Sequence, residues 1–198
     1  MMKDLSIKIN PPNIQSMSIT IKGTANLIFN KFSSKAIQMI LDKQMKSAKS
    51  NVREAKNPQQ LYEDSFYYNK EKAISFPALC IKQAIVSAAR NVKGLAMTLL
   101  RGGVFIVGDE DGLIKVDYKT KEMRQDMVRV GPFKDAADIR FRGQVKNWKM
   151  TFMIKWNADL FSADQVVNLL NIAGFSGGLG EWRPEKNGEY GTFEVAKS

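Results

Sequence analysis

Residues 137–157, "ADIRFRGQVKNWKMTFMIKWN", constrain the fold more than any other stretch of this chain. Ile139, Phe141 and Val145 alternate with Arg140, Arg142, Gln144 and Lys146; after "NW", Met150, Phe152, Ile154 and Trp156 alternate with Lys149, Thr151, Met153 and Lys155. A period of two puts one set of side chains on each face of a strand. So short a link predicts two neighbouring antiparallel strands with an oily underside and a basic upper face. "MSITIKG" (17–23) alternates in the same way, and "NLIF" (26–29) is expected to extend it.

Helical spacing occurs three times. In "SSKAIQMILDKQMKSA" (33–48) the apolar positions are Ile37, Ile40, Leu41, Met45 and Ala48. "SFPALCIKQAIVSAARNVKG" (75–94) has Pro77 for its first turn and Ile81, Ala84, Ile85 and Ala88 on one face. "SADQVVNLLNIAG" (162–174) opens with the capping box Ser162/Gln165, carries the stripe Val166, Leu169, Leu170 and Ala173, and is expected to stop at Gly174. "GGVFIV" (102–107) and "LIKVDY" (113–118) flank "GDEDG" and read as a β-hairpin. With that hairpin and a helical, basic insertion at 31–73 set aside, the order condenses to β-α-β-β-α-β. The fold class is therefore α+β with a ferredoxin-like or RRM-like core, as a single domain over 1–198.

Absences narrow the chemistry. None of the 198 residues is histidine, which excludes Ser-His-Asp and Cys-His catalysis and any zinc site that uses imidazole. The one cysteine, Cys80, reads as a small buried hydrophobe and leaves no internal disulfide. A calcium loop needs glycine at its sixth position and a carboxylate at its twelfth; counted from Asp109, Gly112 is fourth and Thr120 twelfth, so "GDEDG" reads as a turn. The glycine-rich stretch "GFSGGLGEWRPEKNGEYGTFEV" (174–195) follows a helix instead of preceding one, lacks Gly-Lys-Ser/Thr, and has Arg183 where a third dinucleotide-fold glycine would stand. It reads as a flexible bridge into a last strand, and no cofactor or metal is expected. No apolar run is long enough to span a membrane, and "MMKDLSIKIN" lacks the core of a secretory signal, so a cytoplasmic protein without a membrane partner is expected.

The net charge of +10 implies attraction to polyanions, nucleic acid first and anionic membrane surfaces second; the alternative is that it serves solubility. Between Lys31 and Lys56 seven Lys/Arg oppose two acids. The next segment, "LYEDSFYYNKEK", offers Tyr62, Phe66, Tyr67 and Tyr68, which either stack on bases or pin the insertion to the core. The expected phosphate contacts are Arg140, Arg142 and Lys146 on a strand, and Arg183 and Lys186 in the glycine-rich loop. Lys82 and Arg90 on the Ala-rich helix and Lys43, Lys46, Lys49 and Arg53 in the insertion extend the track. Trp182 is either a stacking surface or an anchor. "RGGVFIVG" (101–108) matches an aromatic RNA-binding strand motif at Arg101, Gly102 and Phe105 but has Gly103 and Gly108 at its third and eighth positions, and is read as coincidence.

"ISFPALCIKQAIVSAAR", with Pro77, Lys82 and Arg90, resembles the start of the first helix in the RAMP superfamily, the backbone subunits of CRISPR effector complexes. "LLNIAGFSGGLGEWRPEKNGEYGTFEV", with Gly177, Gly178, Gly180, Gly188 and Gly191, resembles that superfamily's C-terminal glycine-rich loop. Gln83 and Ala84 replace the usual Lys-Gly, and neither the histidine of RNA-processing members nor a Gly-Gly-Asp-Asp signature is present. The resemblance implies a non-catalytic subunit that binds single-stranded RNA or DNA and forms a homo-oligomer or filament. The C-terminal stretch is also similar to phage-encoded proteins, which implies a viral origin and the host cytoplasm. Two other classes stay open: a metal-dependent nuclease using Asp109, Asp111, Asp135 and Asp138, and a viral protein that modulates a host protein.

Overall fold

A computed structural model of the chain describes residues 10–32, 34–45, 55–130 and 136–197. In its first half, β1 (Ile14–Gly23), β2 (Leu27–Ile28), α1 (Ser34–Gln44), α2 (Pro58–Asp64), β3 (Tyr67–Tyr68), β4 (Ile74–Pro77) and α3 (Ala78–Ala88) follow one another. Then come α4 (Met97–Gly103), β5 (Val104–Val107), β6 (Leu113–Lys115), β7 (Thr120–Val130), β8 (Ala136–Lys146), β9 (Lys149–Asn157), α5 (Ala163–Ile172) and β10 (Phe193–Val195).

Four strands form the central sheet in the order β10-β1-β9-β5, every neighbour antiparallel. With α3 between β1 and β5 and α5 between β9 and β10, this is the β-α-β-β-α-β core of a ferredoxin-like fold. The alternation anticipated for β9 holds: Met150, Phe152, Ile154 and Trp156 are buried, and Lys149, Thr151, Met153 and Lys155 are exposed. On β1, Ile19 and Ile21 turn to the same buried side. Both helices contribute to the one core, α3 through Ile81, Ala84, Ile85 and Ala88, and α5 through Val166, Leu169 and Leu170. The expected capping box is present: Gln165 N–H donates to Ser162 Oγ at 3.3 Å, and Ser162 N–H to the Gln165 side chain at 2.9 Å.

Three strand assignments are corrected. Residues 26–29 do not extend β1, since β2 belongs to a different sheet. The expected hairpin of 102–118 splits: β5 joins β9 as the second strand of the core, while β6 pairs with β4 in a separate three-stranded sheet. The expected pair across "NW" also separates, because β8 pairs with β7 over eleven residues and with β2, in a third sheet. The added hairpin is thus β7–β8. The link "NW" carries the chain from one sheet to another through Asn147, at φ 49°, and buried Trp148. Helix α5 does not stop at Gly174 either. It runs on as a wider turn over Ala173–Gly177, closed by Gly178 N–H to Ala173 O at 2.9 Å. A Cβ on Gly174 would lie 2.0 Å from the Phe193 carbonyl oxygen, so this glycine admits β10 against the helix instead of ending it.

The insertion divides in two. Phe66 and Tyr62 are buried, with the Phe66 ring 5.0 Å from Phe29 and 5.3 Å from Tyr62, and Phe66 fills the space a Cβ on Gly143 would take. These aromatics pin the segment to the core; Tyr68 is exposed and donates to Glu63 at 2.9 Å. Helix α1 forms as its spacing predicts, yet Ile37, Met39, Ile40, Leu41 and Met45 are all exposed. Periodicity specifies a helix with an apolar stripe and says nothing about where that stripe finds a partner.

Candidate nucleic-acid interface

Of the strand face read as basic, the β9 half is exposed, but the β8 half is largely buried. Arg140, Arg142, Gln144 and Lys146 do share one face of β8, but a polar network on β7 meets them. Arg142 is only 4% exposed and donates to Asp126 at 3.3 Å; Arg124 donates to the other Asp126 oxygen at 2.7 Å and to Gln144 at 3.3 Å. Gln144 donates to Glu122 at 2.5 Å, which also takes Lys146 at 2.8 Å; the Lys146 ammonium holds the Glu122 carboxyl below its ordinary value. Arg142 as a phosphate contact is therefore corrected: its charge sits in the interior and is neutralised there. Lys146 is half-buried and paired. Arg140 alone of the three is exposed and without an ion-pair partner among the described residues.

The glycine-rich stretch is more tightly built than a flexible bridge. Leu179 N–H donates to Gly191 O, Gly191 N–H to Asn26 O and Glu181 N–H to Ile28 O, at 2.8–3.0 Å. Gly180 has φ 72°, and a Cβ there would lie 2.3 Å from the Ile28 carbonyl oxygen, so glycine is required for the loop to lie on β2. Across the loop, the Arg124 guanidinium lies 4.6 Å from the Tyr190 ring centroid. Sequence reading missed Glu185, which ties the loop to α3 and the turn after it. It accepts from Ser87 at 2.9 Å, pairs with Arg183 at 3.0 Å, and lies 3.7 Å from Arg90. Burial raises the Glu185 carboxyl, but the Ser87 and Arg183 hydrogen bonds and the charges of Arg183 and Lys186 outweigh it and leave it low.

Arg90 and Arg183 are thereby brought to Glu185 from segments some ninety residues apart, and Lys186, next to Glu185 in the chain, adds a third positive charge acting on it. Arg183 is partly spent, since it also donates to Gly180 O at 2.9 Å; Arg90 and Lys186 are exposed. Trp182, in the same turn at φ 54°, is 38% exposed. Lys82 does not join them: it leans the other way and lies 3.9 Å from the Phe105 ring centroid. Lys43 is exposed on α1, and Lys46, Lys49 and Arg53 lie outside the described residues. Cys80 is half-buried beside the loop; burial pushes its thiol up, against the pull of Arg183. Of the carboxylates considered for a nuclease, Asp109 accepts from the amides of Asp111 and Leu113 in its own turn, Asp138 is paired with Lys56, and Asp135 lies outside the described residues. No group of three or more metal-ligating side chains occurs among the described residues, nor any helix long and apolar enough to cross a membrane.

These features define an α+β protein with a ferredoxin-like sheet and a C-terminal loop locked to the first core helix. Among solved structures, the chain is similar to a chain of the Type III-B Cmr-beta complex bound to cognate target RNA, at 12% identity and a TM-score of 0.58. The likeness covers 93% of this chain and 60% of that one. It is also similar to Cmr6 from Pyrococcus furiosus, at 10% identity and a TM-score of 0.45, over 93% of this chain and 99% of that one. The chain thus spans 60% of the length of the Cmr-beta chain, and that likeness shows a shared fold. No family model and no curated protein matches the sequence.

Proposed function

We propose that this chain is a non-catalytic protein that binds single-stranded nucleic acid, acts as one domain over residues 1–198 with its insertion at 31–73, and assembles as an oligomer or filament. The observation that carries the reading is the convergence of Arg90, Arg183 and Lys186 around Glu185, with the exposed Trp182 in the same turn. Guanidinium and ammonium groups beside an aromatic ring suit a strand whose phosphates and base faces are both accessible. The Cmr-beta structure, which holds target RNA, supports the same direction. Phe32, at 69% exposed, and the apolar side chains along α1 support contact with another chain. The engagement of Asp109 and Asp138 in their own turn and ion pair supports the non-catalytic reading.

The test is fluorescence anisotropy with labelled 20-nucleotide single-stranded RNA, single-stranded DNA and duplex. Arg90→Glu with Lys186→Glu is expected to weaken binding of the single strands by more than tenfold in a chain that stays folded, with a lower Tm because both changes face Glu185. Failure of the native protein to bind, or an unchanged affinity in the double variant, overturns the reading. Cleavage of either strand in the presence of magnesium or manganese overturns its non-catalytic part.

A further inference from the structure

Opposite the helices, the four-stranded sheet presents Ser16, Ser18, Phe105, Val107, Lys149 and Lys155 outward, and all six are exposed. Phe105 stands at one side of this face, 46% exposed, and its Cα partner across the ladder is Lys155. From the helix side, Lys82 reaches round the edge strand to within 3.9 Å of the Phe105 ring centroid. One aromatic ring therefore has an ammonium on it and a second on the neighbouring strand. The ring borders a basin of about 610 Å³, lined by Leu79, Lys82, Phe105, Asp111 and Leu113 among others. That volume falls within the ~300–1,000 Å³ range of pockets that hold small organic groups.

We propose that this basin binds one nucleotide of a single-stranded RNA, its base taking the place of the Lys82 ammonium on the Phe105 ring and its flanking phosphates held by the displaced Lys82 and by Lys155. Charge selects this occupant. Neither lysine has an ion-pair partner among the described residues, so both are available to phosphate. Asp111 stands on the rim as an acceptor for an N–H on the edge of a base. Leu79, 63% exposed, and Leu113 supply apolar walls for the ring. The hydroxyls of Ser16, Ser18, Thr20 and Thr151 continue across the face, with Thr20 and Thr151 2.8 Å apart, and suit the 2′-hydroxyls that distinguish RNA from DNA. The stacking residue sits on the edge strand β5, in the "RGGVFIVG" stretch, and the central strands β1 and β9 present no aromatic side chain on this face. The site rests on the single-strand reading above but lies apart from the loop that carries it.

Titration of the full chain with labelled oligo(U) and oligo(dT) tests the assignment. Phe105→Ala is expected to weaken oligo(U) binding roughly 5- to 100-fold, the loss of one base–aromatic stack. Phe105→Trp, placed in a Trp182→Phe background, is expected to bind oligo(U) with quenching of the indole emission introduced on β5. If Phe105→Ala binds oligo(U) as the native chain does, or the Phe105→Trp variant binds oligo(U) with that emission unquenched, the basin is not a nucleotide site and the loop reading stands. If the native chain binds no oligonucleotide, both fall. An equal loss for oligo(dT) overturns the assignment to RNA.

Discussion

Replacing Asp126 by alanine strands a charge in the interior. Asp126 is 7% exposed and is shared by Arg142, whose side chain is 5% exposed, and Arg124, whose side chain is 28% exposed. Arg124 keeps its contacts with Gln144 and Tyr190 and can turn towards water. Arg142 cannot: its Nε is already buried without a partner, and its one ion-pair partner among the described residues is removed. Removing one member of a buried pair costs about 3–5 kcal/mol, and with only one of the two arginines stranded the lower end applies, about 3 kcal/mol. In a domain of this size each kcal/mol lowers Tm by roughly 2–4 °C, so a fall of about 6–12 °C is expected. Differential scanning fluorimetry and urea unfolding both read it. The double variant Asp126→Leu with Arg142→Met is expected to recover most of the loss, because two apolar groups of similar shape need no solvation. A fall of less than about 2 °C in the single variant, or a double variant less stable than the single, refutes the interior pairing and returns Arg142 to the surface.

Three further outcomes follow from particular contacts. Gly174→Ala places a methyl 2.0 Å from the Phe193 carbonyl and is expected to cost about 1–3 kcal/mol or more in urea unfolding, with β10 loosened in hydrogen exchange. Ser162→Ala removes the capping hydrogen bond of α5 and is expected to cost about 1 kcal/mol in the same assay. Glu185 has its carboxyl held low in the folded chain, so its contribution is present above the ordinary carboxylate range and is lost as pH falls through the lowered value. The Tm difference between native protein and Glu185→Gln is accordingly expected to be largest near neutrality and to shrink in acid; a pH-independent difference contradicts the pairing.

The core strands and both core helices are legible because each buries one face at the period its sequence displays, as Ile81, Ala84, Ile85 and Ala88 on α3 and Met150 to Trp156 on β9 show. Partner choice is not legible in that way. Alternation in β8 names two faces but not the sheet that β8 joins, and its true neighbour β7 mixes Glu122, Arg124, Asp126 and Val128 on one face with Lys121, Met123 and Met127 on the other, leaving no apolar signal of period two. Sequence alone puts Arg142 at the surface because a charged strand residue usually lies there; only the location of Asp126 across the ladder reveals the buried pair. The loop's glycines suggest mobility, whereas Gly174 and Gly180 are there for close backbone approach. On α3 and the turn after it, Lys82 and Arg90 share a charge but not a direction. Tertiary partners, Phe105 for one and Glu185 for the other, divide them between two surfaces.

The most direct test of the central claim is the salt dependence of binding to a single-stranded 20-mer RNA, followed by anisotropy between 50 and roughly 300 mM salt. Three or four phosphates neutralised by Arg90, Lys186 and their neighbours predict a slope of log K against log salt of roughly −2 to −3, from about −0.7 per phosphate on a single strand. A flat line contradicts the account.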